Sequence, residues 1–188
     1  MFKKFLLAAV LGCLCVAGSS GTAAAQTKKT TTTTSNKKID ALYKKAIDAM
    51  NEKEFDEAME VVDQIIELDP NQSAAWGIKA WLLDNNKEFK QGEKAAKKAV
   101  ALNDDNVFAW YELGYAQMNL KKYEQAEESF QKVLELNPKN WQAYDSLAVV
   151  MKMQGREDDA EKMIKLKTKR MAAEKKAAPK KVVADDDN

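Results

Sequence analysis

Large apolar residues recur every 34 positions in the middle of the chain. Aromatic residues form two such series and small residues a third, with the members Trp76, Trp110 and Tyr144; Phe55, Phe89 and Tyr123; and Ala58, Gly92 and Ala126. Pro70 and Pro138 lie two periods apart, with Asp104 midway between them. A fixed period of this length is the signature of a repeat protein in which each repeat is one supersecondary unit.

The pattern predicts two helices in each repeat. Small residues let the two helix axes approach closely, large residues fill the remaining gaps, and proline stops a helix. We predict helices over residues 38–51, 55–68, 74–85, 89–102, 108–120, 123–136, 141–153 and 157–176. Because no single pair can bury its apolar stripe, neighbouring pairs must stack, and the expected fold is an all-α solenoid of antiparallel helix pairs.

These residues resemble the tetratricopeptide repeat (TPR), which has a large residue at position 4, Leu and a small residue at 7 and 8, an aromatic at 17, Ala at 20 and Pro at 32. The third unit fits best, with Trp110, Leu113, Gly114, Tyr123, Ala126, Phe130 and Pro138. Lys45 and Lys79 replace the Leu in the first two units, and the fourth departs at Glu157. The resemblance implies a domain over residues 39–169, with units 39–72, 73–106, 107–140 and 141–169.

In this family the first helix of each unit lines a concave groove, mainly through positions 2, 5, 9 and 12. The resemblance therefore implies a partner-binding groove made by Tyr43, Ile47, Met50, Trp81, Asp84, Phe108, Tyr111, Tyr115, Met118, Asp145 and Val149, with Gln142 and Lys152 beside them. Exposed aromatic and methionine side chains are typical of protein-binding hot spots.

The groove aromatics are expected to be surplus to packing inside the hairpins. That interior is assigned to other large residues, namely Trp76, Trp110, Phe55, Phe89, Tyr123 and Phe130. The alternative is that Trp81 and Tyr115 pack against each other across neighbouring first helices and help to hold the stack together.

One ligand class of the family is not expected. Members that clamp the acidic C-terminal tails of cytosolic heat-shock chaperones use Lys, Asn or Arg at five groove positions. Here those positions hold Tyr43, Ile47, Ile78, Phe108 and Glu112. None of them matches, so the sequence predicts no carboxylate clamp.

Composition argues against catalysis and against nucleic acid as the partner. The chain has 30 Lys plus Arg, 29 Asp plus Glu and no histidine, the usual general base and metal ligand. Adjacent carboxylates such as Asp104 and Asp105 point in different directions on a helix and are better interpreted as solvated. Without a phosphate loop, metal cluster or nucleophile motif, we predict a non-enzymatic protein with no cofactor, no metal and a protein or peptide partner.

The segment from Met1 to Ala25 is predicted to be a secretory signal peptide. Met1–Lys4 is basic, Phe5–Gly18 is mostly apolar but too short to span a membrane, and an A-x-A pattern ends at Ala25. An alternative is a lipobox that leaves Cys13 as a lipidated first residue. Residues 26–38, rich in Thr and Lys, are predicted to be a flexible linker.

The C-terminal segment is predicted to cap the solenoid. Its helix is expected to turn Ala160, Met163, Ile164 and Leu166 inward, while residues 170–188 contain the end of this helix and a disordered charged tail. From Glu161 to Lys181 there are 9 basic and 2 acidic residues, whereas Ile39–Ala160 has 15 basic and 24 acidic ones. This basic stretch is interpreted as solvated, with binding to an anionic membrane surface as the alternative.

Together these patterns predict a scaffold or adaptor exported to the bacterial periplasm, with a peptide or helix of a partner bound in its groove. The alternative is a membrane-associated assembly factor, anchored as a lipoprotein or by its basic tail.

Overall fold

The turn inside each helix pair repeats the same backbone conformation with the period of the sequence. Each turn has one residue with positive φ, and these are Lys53 at 67°, Lys87 at 63°, Lys121 at 61° and Gly155 at 76°. A residue in the left-handed conformation ends a helix. The backbone N–H that follows it can then donate a hydrogen bond to a carbonyl in the last turn of that helix. In the last pair, the N–H of Arg156 donates to the carbonyl of Met151 at 2.8 Å. Identical turns therefore set four hairpins in one register.

The computed structural model describes residues 26–177, with side chains described for residues 36–176. The regular structure in this part of the chain is entirely helical. Its eight helices are α1 Gln26–Glu52, α2 Phe55–Leu68, α3 Ser73–Asn85, α4 Phe89–Leu102, α5 Val107–Asn119, α6 Tyr123–Leu136, α7 Trp141–Met153 and α8 Glu157–Ala177.

The predicted helix bounds agree with these within one residue, except at the N-terminus. There α1 begins at Gln26, well before the predicted start at Lys38, so that prediction was wrong. Among the side chains that the structure describes, from residue 36 onward, the first buried one is Ile39, and the preceding turns extend a helix that packing has already nucleated. That residues 26–38 act as a spacer stays a prediction. The predicted signal peptide and the chain beyond Ala177 lie outside the described residues.

The helices stack as four antiparallel pairs, which confirms the predicted all-α solenoid. Each second helix packs on the first helix of the next pair, as α2 does on α3, α4 on α5 and α6 on α7. The first helices α3, α5 and α7 also contact their neighbours, and among the described helices no comparable contact joins α2, α4 and α6 to one another. The first helices are therefore the closer-set inner layer, and their free side is the concave face.

Small residues allow the close approach of helices that the sequence predicted. Ala58 and Ala126 are fully buried. At Gly114, a Cβ atom would lie 2.9 Å from the ring of Phe130, which is itself fully buried. Glycine is the residue that leaves room for this aromatic ring.

The two tryptophans at position 4, Trp76 and Trp110, bind the turns between units, whereas Tyr144 at the same position is almost fully buried. The indole N–H of Trp76 donates to the carbonyl of Pro70 at 2.9 Å, and that of Trp110 donates to the carbonyl of Asp104 at 2.7 Å. Both indoles are only partly buried, as are Phe55, Phe89 and Tyr123. Of the six aromatic residues assigned to the hairpin interior, only Phe130 is fully buried.

The last helix packs inward over less of its surface than predicted. Ala160 is buried and Met163 packs beside it, but Ile164 and Leu166 are 41% and 39% exposed. Both of those expectations were wrong, for different reasons. Ile164 has no further unit to cover it within the described residues, whereas Leu166 lies at the position where Gln64 and Lys98 are exposed in inner units as well. Lys167 instead reaches across the helix pair to Asp145 on α7, with Nζ 2.6 Å from its carboxylate.

Candidate functional site

The predicted groove lies on the concave face formed by α1, α3, α5 and α7. Three of its predicted members, Tyr43, Met50 and Asp84, are buried in the structure. Buried side chains cannot present a binding surface without rearrangement, so the accessible face is smaller than predicted. The resemblance placed these residues by position alone, and position did not reveal how deeply each one packs.

The large groove aromatics of α3 and α5 take part in packing between units. Trp81 meets Phe55 edge-on with ring centroids 5.7 Å apart, and Tyr115 meets Phe89 at 6.5 Å. Both pairs join a first helix to the second helix of the preceding unit, and the second pair lies one period after the first. These contacts lie between units and not inside a hairpin, so they favour the alternative in which both aromatics help to hold the stack together. The structure pairs each of them with a second-helix residue and not with the other.

Tyr111 and Phe108 also have structural contacts. The ring of Tyr111 packs edge-on against Phe130 at 5.4 Å, and its hydroxyl lies 3.2 Å from that of Ser146 on α7. Burial raises the pKa of Tyr111 above its ordinary value. The ring of Phe108 lies against Gly77, where a Cβ atom would come within 3.2 Å of it. Both aromatics thus tie one first helix to its neighbour.

The most accessible groove positions are on α7. Val149 is 42% exposed and Asp145, Gln142 and Lys152 are exposed as well, whereas Ile47 and Met118 are partly buried. Met153, which the sequence analysis did not select, is 61% exposed one turn beyond Val149. Residues four apart share a helix face, so this spacing was the signal that would have found it.

Two buried carboxyl groups, Asp84 and Glu112, lie between the second and third units. Asp84 is 5% exposed, and neither of its carboxylate oxygens has a hydrogen-bond partner among the described residues. Burial raises the pKa of Asp84 to about 7. Burial and, secondarily, the charge of Asp84 raise the pKa of Glu112 well above its ordinary value. Both groups therefore hold a proton more tightly in the folded chain than they would in water.

Gly92 explains how Asp84 fits. A Cβ atom at Gly92 would lie 2.8 Å from the Cγ of Asp84 and closer still to one of its oxygens. The first and third units place Met and Ala at these two positions, as Met50 with Ala58 in the first. In the second unit Asp84 and Gly92 replace the Met and the Ala together, and this joint change was the sequence signal for their contact.

A third buried carboxylate, Glu93, is paired with cations. Lys122 lies 2.6 Å from one of its oxygens and Lys97 lies 2.8 Å from the other. Burial by itself would raise the pKa of Glu93, but the hydrogen bonds from the two lysines outweigh burial and lower it. One period later, Arg156 lies 2.7 Å from Glu127. The Lys122 and Arg156 pairs link the second helix of one unit to the turn of the next, whereas Lys97 pairs with Glu93 inside one helix.

Among residues 26–177, no group of three or more His, Cys, Asp or Glu side chains is arranged to hold a metal ion. Over those residues, too, none of the helices combines the length and the apolar character needed to cross a bilayer. The adjacent Asp104 and Asp105 are exposed, as the sequence analysis expected.

Several solved structures share the fold. A crystal structure of MamA is 23% identical with a TM-score of 0.68, covering 73% of this chain and 81% of that one. MamA from Desulfovibrio magneticus RS-1 is 22% identical with a TM-score of 0.66, covering 72% and 76%. The first TPR of Spaghetti (RPAP3), bound to an HSP90 peptide, is 27% identical with a TM-score of 0.61, covering 63% and 94%.

Sequence comparisons identify the family. A search of curated proteins found no match. Three models described as tetratricopeptide repeat match residues 43–107, 107–140 and 129–162. They span all four of the stacked helix pairs, in agreement with the resemblance in the sequence. The chain belongs to the tetratricopeptide repeat family.

Proposed function

We propose that this protein is a non-enzymatic adaptor of the bacterial cell envelope that binds a peptide or helix of a partner protein on its concave face. The observation that carries this proposal is the exposed apolar pair Val149 and Met153 on α7, 42% and 61% exposed. Beside it, α5 contributes the partly buried Tyr115 and Met118. An accessible apolar strip on a rigid helix layer is suited to anchoring apolar side chains of a partner.

The partner is expected to use apolar anchors and not a C-terminal carboxylate. The structure of Spaghetti contains an HSP90 peptide, but in this chain two positions of the carboxylate clamp hold Tyr43 and Glu112, both buried. A carboxyl group with a raised pKa offers no positive charge to an acidic tail. That no carboxylate clamp is present stays a prediction from the residue types at those positions.

Location in the envelope rests on the N-terminal sequence. The predicted signal peptide ends at Ala25, which favours a periplasmic protein, whereas lipidation at Cys13 would anchor it to a membrane. The mass of the mature protein distinguishes the two. Cleavage after Ala25 supports the periplasmic form, and a diacylated Cys13 at the N-terminus supports the anchored one.

A membrane-associated assembly factor remains the second candidate because α8 carries exposed cations. Lys169, Lys175 and Lys176 are exposed near its C-terminal end. If these lysines bind an anionic membrane, the protein should bind vesicles rich in acidic lipid. That binding should be lost when all three lysines are replaced by Gln, and also when the salt concentration is raised. Equal binding by the variant would remove this candidate.

The adaptor proposal is tested by capture of partners from an envelope extract. The variant Val149→Glu with Met153→Glu should lose the captured protein, because two charges enter the apolar strip. Its thermal melt should stay close to that of the wild type, since both side chains are largely exposed. Leu166→Glu on α8 is the matched control and should capture normally.

Trp81→Ala and Tyr115→Ala are less suitable variants, because each removes an aromatic pair between units as well as groove surface. We expect both to lower the melting temperature, so their loss of capture would be ambiguous. Undiminished capture by the Val149→Glu and Met153→Glu variant would contradict the proposed site.

A further inference from the structure

The two ends of the solenoid differ in how they meet solvent. One repeat position is fully buried in three of the inner-layer helices, as Leu82 in α3, Ala116 in α5 and Val150 in α7. In α1 the same position holds Asp48, which is exposed. A charge there closes the N-terminal end against stacking. At the position where α2, α4 and α6 bury Val62, Ala96 and Phe130 completely, α8 carries Ile164, which is 41% exposed. The C-terminal end therefore keeps an apolar residue where inner units have a covering helix.

Ile164 belongs to a regular stripe along α8. Six exposed residues follow one another at alternating steps of four and three, and this α8 stripe consists of Glu157, Glu161, Ile164, Thr168, Met171 and Lys175. That spacing is the seam of a two-helix coiled coil. Leu166, almost equally exposed, projects from the opposite side of the helix because it is two residues from Ile164.

The order of residue types along the α8 stripe is self-complementary. Two acidic residues are at its start, the apolar Ile164 and Met171 with Thr168 between them are at its middle, and a basic residue is at its end. Two copies of α8 can pack antiparallel with residue 166 of one helix level with residue 166 of the other. In this register Glu157 of one copy lies opposite Lys175 of the other. The same register places Glu161 opposite the long apolar side chain of Met171, and Ile164 opposite Thr168. A two-fold axis repeats each of these contacts.

We propose that the α8 stripe binds the same stripe of a second copy of this chain in antiparallel orientation, forming a two-fold symmetric dimer. The interface is isologous, so it closes at two copies. It contains none of the predicted groove residues, and both concave faces stay free to bind partners. This inference goes beyond the adaptor function and does not depend on it. A single pair of helices buries little surface, so the dimer is weak and forms at high protein concentration.

Sedimentation equilibrium of the full chain, processed as its host processes it, tests the proposal. The wild type should associate from monomer to dimer as its concentration rises. Ile164→Glu with Met171→Glu should weaken association by about a hundredfold, since both copies lose their apolar contacts. Leu166→Glu is the matched control and should dimerise as the wild type does. Circular dichroism melts verify that every variant is folded.

A charge exchange tests the antiparallel register. Glu157→Lys and Lys175→Glu should each weaken self-association by roughly tenfold, because each change affects two cross-pairs. An equimolar mixture of these two variants should associate again, since every opposed pair then has opposite signs. The chain with both substitutions should likewise recover self-association.

Several outcomes would overturn the proposal. A wild type that stays monomeric at every concentration would do so, as would unchanged dimerisation of the Ile164→Glu and Met171→Glu variant. Failure of the mixture to associate would exclude the antiparallel register. Loss of dimerisation in the Val149→Glu and Met153→Glu variant, with the stripe intact, would place self-association in the groove instead.

Discussion

Asp84 has surroundings that are unusual for an ionisable side chain. Its carboxyl group is buried beside Gly92 with no hydrogen-bond partner among the described residues, and Glu112 is buried nearby. Ionising a carboxyl group in such a place costs free energy, because no partner replaces the water that it loses. Burial raises the pKa of both groups, which links the stability of the stack to pH.

We predict that Asp84→Asn removes much of this pH dependence. Because the folded-state pKa of Asp84, about 7, is above its unfolded value of about 3.9, the folded chain holds the proton more tightly. The stabilisation is fully present below about pH 4 and is lost as pH rises through about 7. Relative to Asp84→Asn, the wild type should lose up to about 4 kcal/mol of unfolding free energy between pH 4 and 8. Urea denaturation at several pH values measures this difference.

Asp145→Asn is a suitable control for this effect because its carboxylate is exposed and paired with Lys167. Its difference from the wild type should not follow the same pH course. Parallel pH profiles for the wild type and Asp84→Asn would mean that the buried carboxyl titrates as it does in water.

At the scale of elements, the turns inside the helix pairs limit stability in a way that can be improved. Three of the four use lysine in the left-handed region, where a Cβ atom is strained, and only the fourth uses glycine. The repeated lysines show that helix pairing imposes this conformation on residues that do not favour it.

Lys121→Gly should therefore raise the free energy of unfolding by about 0.5 to 1 kcal/mol. The side chain of Lys121 is exposed, so little packing is lost with it. Lys98→Gly, on the exposed side of α4, should instead lower stability by about 1 kcal/mol because glycine is a poor helix former. Equal effects at both sites in chemical denaturation would contradict the assigned turn conformation.

At the scale of the whole molecule, stability passes from unit to unit through a few large residues. Phe130 is fully buried, packs on Gly114 and Tyr111 of its own unit, and lies in one cluster with Leu147 and Val150 of the next. In a solenoid each unit contacts only its neighbours, so removing such a residue should uncouple the units on its two sides.

Phe130→Ala is expected to cost about 3 to 5 kcal/mol and to act unevenly along the chain. Amide hydrogen exchange should accelerate most in α7 and α8, which lose their packing partner, while α2 and α3 retain more protection. Val62→Ala at the first boundary is the comparison, with a smaller cost and its strongest effect near α2 and α3. Uniform acceleration in both variants would mean that the domain unfolds as a single cooperative unit.

The sequence by itself determined the architecture. Residues recurring every 34 positions specified helix pairs, and the predicted bounds of α2, α4, α6 and α7 agree with the structure because small and large side chains at fixed spacing permit one way of pairing. The TPR resemblance also identified which helices form the concave face. The start of α1 was missed because a polar Thr-rich segment carries no packing signal of its own.

The tertiary structure alone decided which of those positions are accessible. Period and residue type do not reveal that Trp81 packs on Phe55, that the carboxyl group of Asp84 is buried without a hydrogen-bond partner among the described residues, or that Ile164 has no covering helix among them. Each of these depends on contacts between residues of different helices, and one of them on a missing neighbour at the end of the stack. A repeat specifies its own hairpin locally, but its exposure is set by what packs against it.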